Sequence, residues 1–315
     1  MPDWFAGGTA RFAAALVALS SPLLAGCGNE AGSPAASSTA ASPAITVDAA
    51  NGRIVLASVP RRIVSLSASA TEDLYAVGAG GQVVAVDAYS THPSRAPRTK
   101  LSGFKPNIEA VAAYRPDLVV VSDDTNTVVE QLGKLGVPVL VEPPPADLAG
   151  AYRQIREIGR ATGHSDRAAA VVARMRERIA AIEQSVEKPT PALTVFHELD
   201  QTYFSVTSKT FIGQLYRLLG LRNVADQAKS GSPYPQLSAE YVIASRPDLI
   251  VLADTKCCGQ SAETVAKRPG WTSIPAVVRG DVVAVDDSVA SEWGPRIVLF
   301  FAKLARIVRG MESGG

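Results

Sequence analysis

The chain has 315 residues, with 31 Lys and Arg against 30 Asp and Glu, a net charge of +1. That near-balance argues against nucleic acid or a polybasic membrane patch as partner. At 47% hydrophobic residues the chain is long and apolar enough for a globular body of two lobes.

The first element is a targeting segment. Arg11 precedes an apolar run from Phe12 to Ala25. The run is shorter than the about 20 residues a spanning helix needs, and it has the length of a signal-peptide core. It ends in Leu24-Ala25-Gly26-Cys27, which resembles the bacterial lipobox. Residues 1–26 are therefore expected to be a signal peptide, and Cys27 the lipidated first residue of an extracytoplasmic protein. The Ala-, Ser-, Gly- and Pro-rich stretch that follows, 27–48, reads as a flexible tether.

Next comes an alternation of strands and helices. Residues 61–66 predict a buried strand, 67–78 a turn into a helix, and 82–87 a second strand. A helix at 108–114 leads into Arg115-Pro116-Asp117-Leu118 and a third strand, with Pro116 as the helix stop. A helix at 128–135 and a strand at 137–141 follow. Such alternation predicts parallel α/β layers. A helix at 147–162 stops at Gly163. Ser165 is expected to cap a long helix, 166–187, that Pro189 and Pro191 end. One stiff helix as the link between lobes would limit hinge motion. The expected division is an N-terminal lobe over 49–163, a linking helix over 164–188 and a C-terminal lobe over 189–315.

Two segments recur. Glu109, Val111, Ala113 and Arg115-Pro116-Asp117-Leu118 return at a constant offset as Glu240, Val242, Ala244 and Arg246-Pro247-Asp248-Leu249. The run VVAVD after Gly81 returns after Gly280 at a different offset. These echoes predict two related lobes with somewhat different strand order.

Catalytic signatures are sparse. There is no GxSxG elbow, HExxH or Walker loop, and no zinc spacing. No cofactor or metal is expected. Of the three histidines, His197 neighbours Glu198, a weak acid–base signal, and His164 sits in a helix break. Cys257-Cys258 admits a vicinal disulfide, a reactive thiol or a soft ligand, beside a passive loop pair. A lipid-anchored thiol-redox enzyme using these cysteines, with His197, is thus one reading. A surface sensor or adhesion protein on the same scaffold is another. Aromatic residues gather where strands end: Tyr89, Phe104, Tyr203, Phe204, Tyr234 and Trp293. In α/β folds ligands bind at the carboxyl ends of strands, so these loops are candidates for a stacking pocket.

Taken together, Arg62-Ile-Val-Ser-Leu-Ser with Thr71-Glu72, VVAVDAYS with Pro93, Ile108-Glu109 with Arg115-Pro116-Asp117-Leu118, Thr210-Phe-Ile-Gly, and Trp293-Gly-Pro295-Arg296 resemble the substrate-binding proteins of ABC importers for iron chelates and vitamin B12. The resemblance covers about residues 50–310. It implies two Rossmann-like α/β lobes joined by a single long α-helix, and binding without catalysis. It implies ligand contacts at Tyr89, Phe104 and Tyr234, and Trp293 and Leu199 are expected to join them. Pro233-Tyr234-Pro235-Gln236 keeps the family's Pro-aromatic-Pro-Gln motif, whereas Ser288 to Trp293 does not keep its acidic-aromatic-arginine run. The family docks on its permease through one glutamate per lobe. The first falls on Glu72, and the second aligns with Arg217, a charge reversal. The implied cargo is a corrinoid, with a ferric siderophore or haem as the alternative. Arg95, Arg98, Lys100 and Lys105 are a basic set that would suit an anionic siderophore. The implied partners are the permease and, through the lipid anchor, the outer face of the cell membrane. The protein is expected to be monomeric.

Overall fold

A computed structural model describes residues 44–313. The segment expected to be a signal peptide, Cys27 and most of the expected tether lie outside the described residues. The last residues assigned to the tether do not belong to it. Ile45–Ala49 (β1) pairs antiparallel with Gly52–Leu56 (β2), and Val47, Ile54 and Leu56 turn inward to the core.

Four strands make the first parallel sheet: Ile63–Leu66 (β3), Val83–Val86 (β4), Leu118–Val121 (β5) and Val139–Val141 (β6), in the order β4-β3-β5-β6. Four more make the second: Thr194–Glu198 (β7), Arg222–Asn223 (β8), Leu249–Leu252 (β9) and Val282–Ala284 (β10), in the order β10-β9-β7-β8. Each sheet begins with the inner strand, adds the next strand on one side, and places the third and fourth on the other. The expectation of different strand orders is therefore corrected: the order is the same in both lobes. The VVAVD echo misleads because it falls on the second strand of one sheet (β4) and the fourth of the other (β10). Both are edge strands, so one sequence pattern serves opposite edges.

The other echo falls on equivalent positions and is a folding device. Arg115 and Arg246 both take left-handed backbone, φ 48° and 47°. Each closes its helix by donating its N–H to a carbonyl three residues back, Ala112 and Ile243. The following proline prevents the helix from resuming. The aspartate then clamps the start of the neighbouring strand. Asp117 accepts the N–H groups of Arg61 and Arg62 at 2.8 and 2.9 Å. Asp248 accepts the N–H and hydroxyl of Thr194 at 2.9 and 2.8 Å. Asp248→Ala is expected to lower stability by about 1–2 kcal/mol, measured by urea unfolding, since it strips charged acceptors from a strand start.

The linking helix is Ser165–Gln184, 20 residues and about 30 Å long. His164, not Ser165, occupies the capping position, and no side chain caps the helix. The His164 ring nitrogen Nδ1 lies 2.8 Å from the Thr162 carbonyl, so this histidine is half-buried and locally tied. The helix Leu148–Ala161 packs tightly on the linking helix: a Cβ on Gly159 would lie 2.3 Å from that of Ala168. Strand residues alternate between faces. Val64, Leu66, Val119 and Val121 face an N-lobe core, and Phe196, Ile250 and Leu252 a C-lobe core. The opposite faces, including Ile63, Leu118, Val195 and Leu249, join one continuous core with Val171 and Met175 of the linking helix and with Phe300 and Phe301 of the helix Ile297–Ser313. Among the described residues no helix is long and apolar enough to cross a membrane.

Candidate ligand-binding site

The site is built where β3, β4, β5 and β6 end. Ser67 leaves β3 and caps the helix Ala68–Ala76 by accepting the Ala70 N–H at 3.3 Å. Below it three buried hydroxyls tie strand, helix and loop together. Thr71 Oγ1 lies 2.9 Å from both Ser65 Oγ and Ser90 Oγ. Asp87, at the end of β4, accepts the Ser90 N–H at 2.8 Å, which fixes the loop carrying Tyr89. The chain then returns along β4, where Thr99 N–H bonds to Val86 O and Ala88 N–H to Leu101 O. This return brings Gly103 against Leu66 and sets Phe104 edge-on to Tyr89, with ring centroids 5.1 Å apart at 87°. Tyr89 and Phe104 are 59% and 68% exposed, an uncovered aromatic pair at the rim.

From the other lobe, the segment before the last helix crosses over. The Trp293 N–H donates to Ser69 Oγ at 3.2 Å, and the Trp293 ring meets Phe211 edge-on at 6.0 Å. Together these elements enclose a cavity of about 300 Å³, lined by Ser67, Ser69, Asp87, Tyr89, Gly103, Phe104, Ser122, Asp123, Ser291, Glu292 and Trp293 among others. It lies where β3 and β5 end, at the point where the sheet order reverses and α/β folds bind ligands. Larger depressions of about 600 and 880 Å³ lie at the opposite, amino-terminal edges of the two sheets and have no aromatic lining.

The cavity is acidic. Asp87 is 2% exposed. Burial raises its pKa against the bonds from Ser90, Gly103 and Tyr89. Burial, reinforced by the neighbouring Glu72, pushes Glu292 up to about 9. Arg296 donates to Glu292 at 2.9 Å and also pairs with Glu72. Among the described lining residues there is no lysine or arginine. Arg95, Arg98, Lys100 and Lys105 do not line the cavity, and Arg95 instead lies over the Tyr75 ring at 5.0 Å.

Tyr89, Phe104 and Trp293 thus come together, and Tyr234 and Leu199 do not join them. Both are half-buried and pack against the continuous core. The loops that carry them are stitched to each other: Ser205 N–H donates to Pro235 O, Thr207 N–H to Pro233 O, and Leu237 N–H to Tyr203 O. Tyr234→Ala is therefore expected to lower stability by about 1–3 kcal/mol in thermal or urea melts. Tyr203 stacks on Trp271 at 5.6 Å, and Phe204 is also outside the cavity.

Glu72 is not a surface carboxylate. It is 4% exposed and held by Arg296, so its expected docking role is at odds with its position. Arg217 is exposed near the end of the helix Phe211–Leu218. His197 and Glu198 are not a pair, because adjacent strand residues face opposite ways. His197 is buried inside β7 and its Nδ1 lies 2.7 Å from the Tyr216 hydroxyl. Burial lowers its pKa to about 3. Glu198 forms a bidentate pair with Arg268 at 2.6 and 2.7 Å on the other face. Cys257 and Cys258 are joined within the short helix Thr255–Cys258, with Cys257 exposed, so buried His197 is no partner for them. Among the described residues no cluster of three His, Cys, Asp or Glu could hold a metal. Sequence reading missed Asp87, Asp123 and Glu292. Asp87 and Asp123 each stand just past a strand's carboxyl end, which is the signal that marks them.

Two α/β lobes with a lined cavity at the strand ends define a ligand-binding protein. The chain belongs to the periplasmic binding protein family, whose model matches residues 63–289. That is a family of transport proteins, not of enzymes. A cobalamin-binding protein of Halobacterium salinarum is 34% identical over 266 residues, covering 82% of this chain and 72% of that protein. An uncharacterised ABC transporter substrate-binding lipoprotein of Bacillus subtilis, YvrC, is 30% identical over 307 residues, covering 93% and 95%. The apo haem-binding protein RhuT of Roseiflexus sp. RS-1 superposes with a TM-score of 0.71 at 25% identity, covering 79% of this chain and 97% of that one. The vitamin B12-binding protein BtuF of Vibrio cholerae gives 0.65 at 21% identity, covering 79% and 97%, a likeness of fold.

Proposed function

We propose that this protein is the lipid-anchored, extracytoplasmic substrate-binding component of an ABC importer and that its cargo is a corrinoid. The observation that carries the cargo is the cavity lining: aromatic faces, hydroxyls and carboxyl groups with no cation. Haem and many ferric siderophores carry anionic groups, which a buried site matches with Arg or Lys. A corrinoid presents apolar macrocycle faces and neutral amides, which suit aromatic rings and a lining of hydroxyl and carboxyl groups. About 300 Å³ is at the small end of ligand sites, so the cavity takes one edge of such a ligand. The remainder then lies over Tyr89 and Phe104. Family membership and the relative named as an ABC substrate-binding lipoprotein support delivery to a permease and the anchor at Cys27.

Calorimetric titration with cyanocobalamin, haem and a ferric siderophore tests the cargo. Saturable binding of cyanocobalamin is expected, and its absence overturns the reading. The double change Tyr89→Ala, Phe104→Ala is expected to weaken binding by about tenfold or more, since two aromatic contacts are lost at about 0.5–1.5 kcal/mol each. Its melting temperature should stay near that of the parent, because both rings are exposed. Labelling with a radioactive fatty acid, lost in Cys27→Ala, tests the anchor.

Haem is the second reading, favoured by Tyr89 at the cavity rim, since a tyrosine is a known axial ligand of haem iron. A Soret shift on haem addition that disappears in Tyr89→Phe would establish it in place of the corrinoid.

A further inference from the structure

We propose that Arg296 is a positioning residue that fastens residues 292–296 of the second lobe onto the first and thereby sets how fast a ligand leaves the cavity. Arg296 is not part of the cavity lining and acts through Glu292 and Trp293, which are. This rests on the cavity as the ligand site and goes beyond it to the group that keeps the site shut.

The crossing segment lies flat on the helix Ala68–Ala76 of the first lobe. The Trp293 N–H reaches Ser69 Oγ at 3.2 Å, a single neutral bond. At the next residue the backbone meets Glu72 so closely that a Cβ on Gly294 would stand 2.7 Å from Glu72 Oε2 and 2.9 Å from Glu72 Cβ. Arg296 then supplies the charged tie. Its Nε donates to Glu72 Oε1 at 2.5 Å, across the lobes. Its Nη2 also pairs with Glu72 and donates to Glu292 Oε2 at 2.9 Å and to Ser288 Oγ at 3.2 Å, within its own lobe. One planar guanidinium thus joins both lobes at once, which a lysine, with a point charge, does not reproduce. The cluster is balanced: Glu292, pushed up to about 9 by burial and by Glu72, keeps its proton at neutral pH and hydrogen-bonds to Glu72. One cation therefore faces one anion.

The fastening is thin. Glu292 and Trp293 line the cavity, while Pro295 and Arg296, with Glu72, line a second depression of about 270 Å³. Water reaches the ion pair from that outer side, so the pair can part without either lobe unfolding. When it parts, the main tie left to this stretch of the first lobe is the Trp293 bond to Ser69. A ligand edge seated beside Trp293 leaves as this segment lifts, so the ion pair acts on release more than on capture.

The test separates positioning from stability by comparing Arg296→Met with the double change Glu72→Met, Arg296→Met. The single change leaves Glu72 buried without its cation and is expected to lower the melting temperature. The double change removes both charges and puts apolar side chains in their place, and its melting temperature is expected to return close to that of wild type. Both variants lack the tie, so stopped-flow release of cyanocobalamin is expected to be about tenfold or more faster than wild type in both. Acrylamide quenching of tryptophan emission in the ligand-free protein is expected to rise in both. Trp271 is fully buried, so that rise reports Trp293. Release that returns to the wild-type rate in the double variant, together with the melting temperature, makes Arg296 a stability residue only and overturns the proposal. Release unchanged in both variants overturns it as well. If the wild type binds no cyanocobalamin, the corrinoid reading falls by itself, and the quenching then decides: equal quenching in all three proteins overturns the fastening role.

Discussion

Glu142→Gln is expected to stabilise the protein at neutral pH by a few kcal/mol and to leave it unchanged in mild acid. Glu142 follows β6, is 2% exposed, and has one carboxyl oxygen without a partner. Burial first, then Glu157 and Asp73, push its pKa up from 4.5 to about 10. Asp73 is itself buried and raised, by burial and by Glu72. The folded value lies above the unfolded one, so the stability Glu142 contributes is complete below pH 4.5 and is lost as pH rises towards 10. Each pH unit in that window costs up to about 1.4 kcal/mol. Glutamine keeps the shape and holds no titrating proton. Urea unfolding of both proteins from about pH 4 to 8 should therefore give coincident stabilities at the acid end and a widening gap above it. A constant gap at every pH would mean that Glu142 acts through packing alone. His197 works the other way: with its pKa lowered to about 3, its contribution is present above pH 6.5 and is lost as pH falls. It should bend the acid limb downward in both proteins equally.

Gly103→Ala is expected to weaken cyanocobalamin binding by about tenfold or more while the protein remains folded. A Cβ at Gly103 would lie 2.2 Å from the Leu66 carbonyl oxygen, a contact between two backbone segments that neither can relieve by turning a side chain. The loop must move away from β3, taking Phe104 with it and opening the cavity wall. Overpacking of this kind costs about 1–3 kcal/mol of stability. Gly81→Ala in the same lobe is the control, since a Cβ there meets nothing within 4 Å. Unchanged affinity in Gly103→Ala would show that the ligand does not use this wall.

The strands were legible because each is a short apolar run between proline, glycine or polar residues, and burial on both faces of a parallel strand leaves that mark. Their ends were not: 61–66 shortens to Ile63–Leu66 because Arg61 and Arg62 are the residues clamped by Asp117. Strand order was misread because VVAVD describes an edge strand without saying which edge. At the cavity rim, Tyr89 was marked by its place after a strand and Phe104 by its Gly-Phe-Lys-Pro loop. Tyr234 sits in an equally suggestive motif, but the direction of its ring depends on the loop bonds to Ser205 and Thr207, far from local sequence. Glu72 carries the same lesson. Its burial depends on Arg296, on the other lobe and remote in the chain, and no local pattern announces such a pair.

The continuous core that runs through both sheets and the linking helix bears on how the molecule comes apart. Each lobe has a core of its own on one sheet face, but the other faces are shared, because Ile63 and Leu118 lie in one cluster with Val195, Leu249 and Phe301. Melting should therefore be one cooperative event, with a single calorimetric peak in place of the two expected of loosely tethered domains. A ligand held mainly by loops of the first lobe would then protect the second to the same extent, by about 2.7 kcal/mol at a concentration one hundred times its dissociation constant. Occupancy becomes a property of the whole body, and protease resistance in the distant lobe becomes a gauge of whether cargo is aboard.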